Sequence, residues 1–292
     1  MKKFLYWFLA IVITLGAAYY QRKTGPTYPK RMKAEINGKL TELKLTRSLS
    51  LSERSEVKLA ITDTSVKAKL YYRRFPTADE YQVTDFTNKV YPVNSPFMNK
   101  VMKMYDEKGY FASVPQQPAA GKIQYYFEIT DSKGTITYMK SSPVVIRFKG
   151  DVPGFILGPH ILIMFLAMLF STLAGLMTIG KFPAYKKYAL WAMILLIAGG
   201  FFLGMLVQHY AFGEYWTGIP FGWDLTDNKT LIALIFWVIA VWMNRKEDRP
   251  VYVALAAIIL LVVYSIPHSV FGSQLNYQSG QMTQGLINLF FI

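Results

Sequence analysis

Three histidines, His160, His209 and His268, are the strongest nitrogen ligands in a chain that contains no cysteine. Neutral imidazole binds zinc, copper and haem iron, so these rings set what metal chemistry the sequence permits. Without cysteine there are no disulfides, thiolate metal sites, iron-sulfur clusters or covalent haem attachment through a Cys-x-x-Cys-His pair. The histidines recur at matching places in the hydropathy pattern: His160 starts one apolar run, His209 ends the next and His268 follows the last. Between His209 and His268 lies an aromatic stretch, Phe212-Gly-Glu-Tyr-Trp216, then Thr217-Gly-Ile-Pro-Phe-Gly222, then Trp223-Asp224. Gly213, Gly218 and Gly222 permit close backbone approach there, and flat rings suit a planar apolar ligand. Each feature also has a plainer use. Histidine, Trp and Tyr commonly sit at membrane boundaries, and Asp224 and Asp227 are placed to cap the helix that follows. The chain carries no Gly-rich phosphate loop, no His-Glu-x-x-His helix and no nucleophile elbow.

Five apolar runs must position these residues: Phe4 to Tyr20, Phe155 to Ile179, Tyr188 to Val207, Thr230 to Met243 and Val251 to Ile266. With 52% hydrophobic residues over 292 positions, they exclude a purely soluble chain. The first run follows Lys2 and Lys3 and reads as a secretory signal or, the preferred reading, an uncleaved anchor closed by Tyr19 and Tyr20. Lys181, Lys186 and Lys187 occupy one short loop, and Arg245, Lys246 and Arg249 another. The loop between them, Tyr210 to Lys229, sets Glu214, Asp224 and Asp227 against one lysine. The positive-inside rule therefore places the two basic loops and the N-terminus in the cytoplasm. The aromatic loop and the C-terminus then lie outside, on the periplasmic side of a bacterial inner membrane. The predicted helix interiors lack Asp, Glu, Lys and Arg, which disfavours an ion-coupled transporter.

The segment between the first and second runs alternates apolar with polar positions, as in Val57-Lys-Leu-Ala-Ile61, Val66-Lys-Ala-Lys-Leu-Tyr-Tyr72, Ile123-Gln-Tyr-Tyr-Phe-Glu-Ile129 and Val144-Val-Ile-Arg-Phe148. Turn signals at Pro118-Ala-Ala-Gly121 and Asp131-Ser-Lys-Gly134 separate these strands at the spacing of an antiparallel sandwich. The segment is basic, with a net charge of about +10, which a solvated face or contact with anionic headgroups or an acidic partner would explain. Its placement outside the cytoplasm argues against nucleic acid. The short linker Lys149-Gly-Asp-Val-Pro-Gly154 leads into the bundle.

Two resemblances follow. Leu70-Tyr-Tyr-Arg-Arg74, Tyr110-Phe-Ala-Ser-Val-Pro115 and Ala120 to Ile129 with Asp131 and Gly134 resemble immunoglobulin-like or fibronectin-type-III-like modules, over residues 34–148. Residues 155–275 resemble the haem-handling membrane proteins of cytochrome c biogenesis, whose tryptophan-rich outer loop has the form Trp-Gly-x-x-Trp-x-Trp-Asp between flanking outer histidines. Phe212-Gly213-x-x-Trp216 and Trp223-Asp224 resemble its two halves, with Phe212 in place of the first Trp and six residues between Trp216 and Trp223. The resemblance implies haem b held axially by His160 and His268, with Trp216, Trp223 and Asp224 in the loop positions and nearby Lys or Arg meeting the propionates.

The expected architecture is a membrane α-helical bundle, one N-terminal anchor helix plus four transmembrane helices, with an inserted all-β immunoglobulin-like sandwich. Residues 1–21 form the anchor or signal, 22–150 the exported sandwich, 151–270 the bundle with its aromatic outer loop 210–229, and 271–292 an exported tail. Two other functions stay open. One is a zinc or copper membrane metalloenzyme using His160, His209 and His268, joined by Asp224 or Glu214. The other is a scaffold subunit of a cell-envelope complex, in which Gly175, Gly199-Gly200 and Gly204 pack against other helices. In every case the partners are the lipid bilayer and membrane or periplasmic proteins.

Overall fold

A computed structural model describes residues 2–93, 106–268 and 272–283. The chain divides into two compact units. The β-domain comprises Thr27–Lys149 with Leu275–Gln281, and the helical unit comprises Met1–Pro26, Gly150–Gln274 and Met282–Ile292.

In the β-domain, period-two alternation builds strands with one buried face. The hairpin of β1 (Lys30–Ile36) and β2 (Lys39–Leu45) turns at Asn37-Gly38, both at positive φ, as a two-residue turn between right-twisted strands requires. The main sheet orders β3 (Ser48–Ser50), β11 (Val144–Lys149), β9 (Lys122–Asp131), β5 (Lys67–Arg74) and β6 (Gln82–Asp85), with β10 (Gly134–Tyr138) also paired to β9. A third sheet orders β4 (Glu56–Leu59), β8 (Glu107–Ser113) and β7 (Thr87–Tyr91). All three sheets contribute to one apolar core around Leu43, Leu59, Leu70, Tyr125, Phe127 and Phe148. The expected strands and both expected turns are present. The pattern departs from a purely antiparallel one where β3 runs parallel to β11.

The helical unit holds four helices long and apolar enough to cross a membrane, Lys3–Thr24, Gly154–Ile179, Tyr185–Phe212 and Leu225–Met243, and a shorter apolar helix, Pro250–Ser265. We label them α1 (Lys2–Thr24), α2 (Gly154–Ile179), α3 (Tyr185–Leu196) continuing through a π-helical segment (Ile197–Leu203) into α4 (Gly204–Phe212), α5 (Leu225–Met243) and α6 (Pro250–Ser265). Their interior is lined with small side chains, including Ala167, Ala174, Ala192, Ala240 and Ala256, around a fully buried Trp237. Such surfaces let helix backbones approach closely, the main route to packing where lipid competes with every apolar contact. Phe155, Leu162, Phe202, Trp242, Val251 and Ile258 point outward, an apolar exterior that suits lipid better than water. α1 joins this unit: Trp7 meets Phe170 and Tyr188 edge-on, and Tyr6 meets Phe182.

Two boundaries differ from the sequence reading. The fourth apolar run, expected from Thr230, is helical from Leu225, because Asp224 caps it there. The tail expected as a separate segment at 271–292 returns Leu275–Gln281 to the β-domain, while residues 271 and 284–292 of it lie outside the described residues. The Leu275 amide donates to the Ala120 carbonyl. The Tyr277 hydroxyl accepts from the Lys122 amide (2.9 Å) and donates to the Lys122 carbonyl (2.8 Å).

Candidate functional site at one end of the bundle

The start of α5 is fixed by carboxylates. Asp224 is the N-cap, its side chain accepting from the Thr226 amide at 2.7 Å. Three residues on, one oxygen of Asp227 accepts from the Thr217 amide (2.6 Å), the Thr217 hydroxyl (3.1 Å) and the Gln208 side chain (3.0 Å). The Asn228 side chain takes the Ile219 amide. A β-carbon on Gly218 would stand 2.7 Å from that of Asp227, so this position requires glycine. The aromatic loop is thereby clamped to the first turn of α5. The second oxygen of Asp224 accepts from both the amide and the hydroxyl of Ser273, which fixes the chain beyond α6 to the same place.

Beneath this clamp lies His160, in the second turn of α2. Its Nδ1 is 2.9 Å from the carbonyl of Gly199, in the π-helical segment. A carbonyl only accepts, so Nδ1 carries the proton and Nε2 presents its lone pair. The same carbonyl takes the Gly204 amide five residues on, the bonding that widens this turn. Nδ1 held by a backbone carbonyl is the arrangement that orients an imidazole whose Nε2 is to ligate or accept a proton. His160 is six residues into a 26-residue helix, so at 1.5 Å per residue it sits about 9 Å below the helix start.

Lys229 completes the group. It is buried in α5 at 4% exposure, and its ammonium donates at 2.7 Å to the Ile266 carbonyl at the end of α6. His268 follows two residues later. Protein around the His268 ring pushes its pKa down, and the nearby Lys229 ammonium and then the His160 ring push the same way, although the residue as a whole is exposed. His160, His268 and Lys229, from three segments far apart in sequence, thus share one neighbourhood.

The other expected site residues lie differently. His209 is stacked on Tyr215 with ring centroids 4.0 Å apart, and its Nδ1 faces the Gly213 carbonyl at the end of α4. Trp216 stacks on Phe201 of the π-helical segment and donates its indole N–H to the Ile219 carbonyl. Trp223 is exposed, and Asp224 is committed to its cap and to Ser273. Among the described residues, no three His, Asp or Glu side chains are grouped to hold a metal ion. Gly175, Gly199 and Gly200 face the chain's own helices: added β-carbons would meet Ala257, Met164 and Thr230 within 3 Å.

The sequence assigns Gly199 only a packing role, and none in the site to Lys229 or Thr217. Lys229 was counted as a loop charge because the helix was begun one residue after it; the pair Asp224 and Asp227, spaced as N-cap and third helical residue, carried the signal that moves the start back. The π-helical segment left only the Gly199-Gly200 pair as a trace.

The fold defines a chain with helices long and apolar enough to cross a membrane and a separate β-domain with its own apolar core. Compared with known proteins, the chain matches no family model, no curated protein and no solved structure.

Proposed function

We propose that this is an integral membrane protein that binds haem, which His160 and His268 would hold through their ring nitrogens, for haem handling or electron transfer at the periplasmic face of a bacterial inner membrane. The observation that carries the reading is the placement of the two rings. His160 is held by Gly199 through Nδ1, which points Nε2 away from that carbonyl, and His268 lies near enough to His160 for the two rings to act on one another. Neutral nitrogen donors in an apolar surround are the donor set that haem iron takes, and bound haem would supply one-electron chemistry. Asp224 and Asp227 hold the aromatic loop and the segment after α6 in place, so they position the site without touching the ligand. Trp216, beside the π-helical segment, supplies an aromatic wall. The basic loops support this orientation, and the β-domain, an immunoglobulin-like module in this reading, faces membrane or periplasmic protein partners.

The test is haemin titration of the purified full chain in detergent. A Soret band should grow to one equivalent, His160→Ala and His268→Ala should each remove it, and His209→Ala should leave affinity within about twofold, because that ring is engaged elsewhere. Wild-type protein that takes up no haemin overturns the proposal.

A further inference from the structure

The aromatic loop between α4 and α5 turns its largest apolar side chains away from the protein. Phe221 is 80% exposed and Trp223 59%, and Ile219 is exposed with them. Residues 215–223 carry no charge, and the carboxylates that follow, Asp224 and Asp227, are buried. The backbone of this tip is closed on itself. The Phe221 and Gly222 amides both donate to the Gly218 carbonyl, and the Asp224 amide donates to the Thr217 carbonyl. The Thr217 and Ile219 amides are taken by the side chains of Asp227 and Asn228, and Pro220 has no amide hydrogen to place. A loop in water can leave such donors to the solvent, whereas in an apolar medium each bare amide is costly. Rings held out on a frame of this kind form an exposed apolar surface that marks a contact.

Length decides what that contact is. α5 has 19 residues, about 28 Å of helix, which is no more than the ~30 Å of hydrocarbon that it would cross. Both of its ends are therefore drawn to the hydrocarbon boundary. The loop is bonded to its first turn through Asp227 and Asn228, so the tip is held within a few residues' reach of that boundary. Aromatic side chains favour this depth. We propose that the tip at residues 219–223 is a bilayer contact, with Phe221 and Trp223 immersed where headgroups meet acyl chains beside α5. This is independent of the haem reading. It gives the exposed rings a lipid surround, and through the bonds from Ser273 to Asp224 it moors the chain beyond α6 to the membrane surface as well.

The chain has no cysteine, so single spin labels read this directly. The full chain with Phe221→Cys or Trp223→Cys is labelled and reconstituted into phosphatidylcholine bilayers. Collisions of each label with oxygen and with a water-soluble nickel chelate, present on both sides of the bilayer, are then compared. Lys246→Cys, exposed in the loop between α5 and α6, marks water, and Ile235→Cys, exposed in the middle of α5, marks lipid. Both tip labels should shift the oxygen-to-nickel ratio well above the water mark while staying below the lipid mark. Two separate positions keep the result decisive if one variant does not assemble. A ratio at the water mark for either label overturns the proposal. Low collision with both reagents overturns it too, because the tip is then covered by protein.

Discussion

The β-domain and the helical unit solve the same packing problem with opposite materials. The β-domain core is large and apolar, with Tyr125, Phe127, Phe148, Leu43 and Leu70 all fully buried, and apart from the buried Arg147 most of its charges stay on the outer faces, in pairs such as Arg31–Glu42 and Lys133–Glu35. The helical unit reverses this. Its interior is rich in alanine packed around Trp237, Met168, Leu173 and Leu260, many of its large apolar side chains face outward, and three of its charged residues, Asp224, Asp227 and Lys229, are buried. In water, removing apolar surface drives assembly, so the largest side chains go inside. In lipid that drive is absent, so close backbone contact and satisfied polar groups hold the helices together. The charges buried in the helical unit are therefore the place to look for function.

Four substitutions sharpen or break this contrast. All six tryptophans lie in the helical unit, so indole emission follows that unit alone and β-sheet circular dichroism follows the other. The largest effect is expected for Phe127→Ala, which should cost the β-domain about 3–5 kcal/mol in urea unfolding through the lost burial and the cavity left behind, with indole emission unmoved. Asp227→Ala should destabilise the helical unit by about 2–3 kcal/mol, because the Thr217 and Gln208 donors lose their acceptor; amide exchange at Thr217 should accelerate with it. Gly175→Ala should cost about 1–3 kcal/mol, since its β-carbon meets that of Ala257 and two helices must part. A loss confined to detergent-denatured indole emission checks both of these. An unchanged emission midpoint in either variant would deny that close contact and polar satisfaction hold the bundle.

The smallest effect concerns pH. Partial burial raises the Glu56 pKa, but hydrogen bonds from Lys89 and Tyr91 and the charges of Lys89 and Arg54 outweigh it, and the net shift is downward. A folded-state pKa below the unfolded one gives stability that is present above the ordinary carboxylate range and is lost as pH falls through the folded value. Glu56→Gln should therefore lower β-domain stability by no more than about 1 kcal/mol at neutral pH and flatten its acid limb. Equal midpoints of variant and wild type below that range, with a gap above it, are the expected signature in urea titrations at stepped pH.

Much of this was legible in the sequence, for identifiable reasons. Strands β4, β5, β9 and β11 announce themselves by strict alternation, and the apolar runs by length. β1 and β2 are masked by lysines on their exposed faces, which blunt the alternation of Met32, Ala34 and Ile36. The grouping of His160 with His268 was an expectation from the resemblance to haem-handling membrane proteins, whereas the stacking of His209 on Tyr215 was not foreseen, because it is a local contact with no periodic signature. The π-helical segment reads as ordinary helix, since one extra residue per turn leaves hydropathy unchanged. The burial of Lys229 depends on where a helix begins, and that is set by a cap, not by hydropathy.

The return of Leu275–Gln281 to the β-domain has a consequence for synthesis. Tyr277, which brackets both backbone groups of Lys122, leaves the ribosome only after α6 has been made. The β-domain consequently waits, one piece short, until all the apolar helices have been synthesised, so its closure marks a chain made through to Gln281.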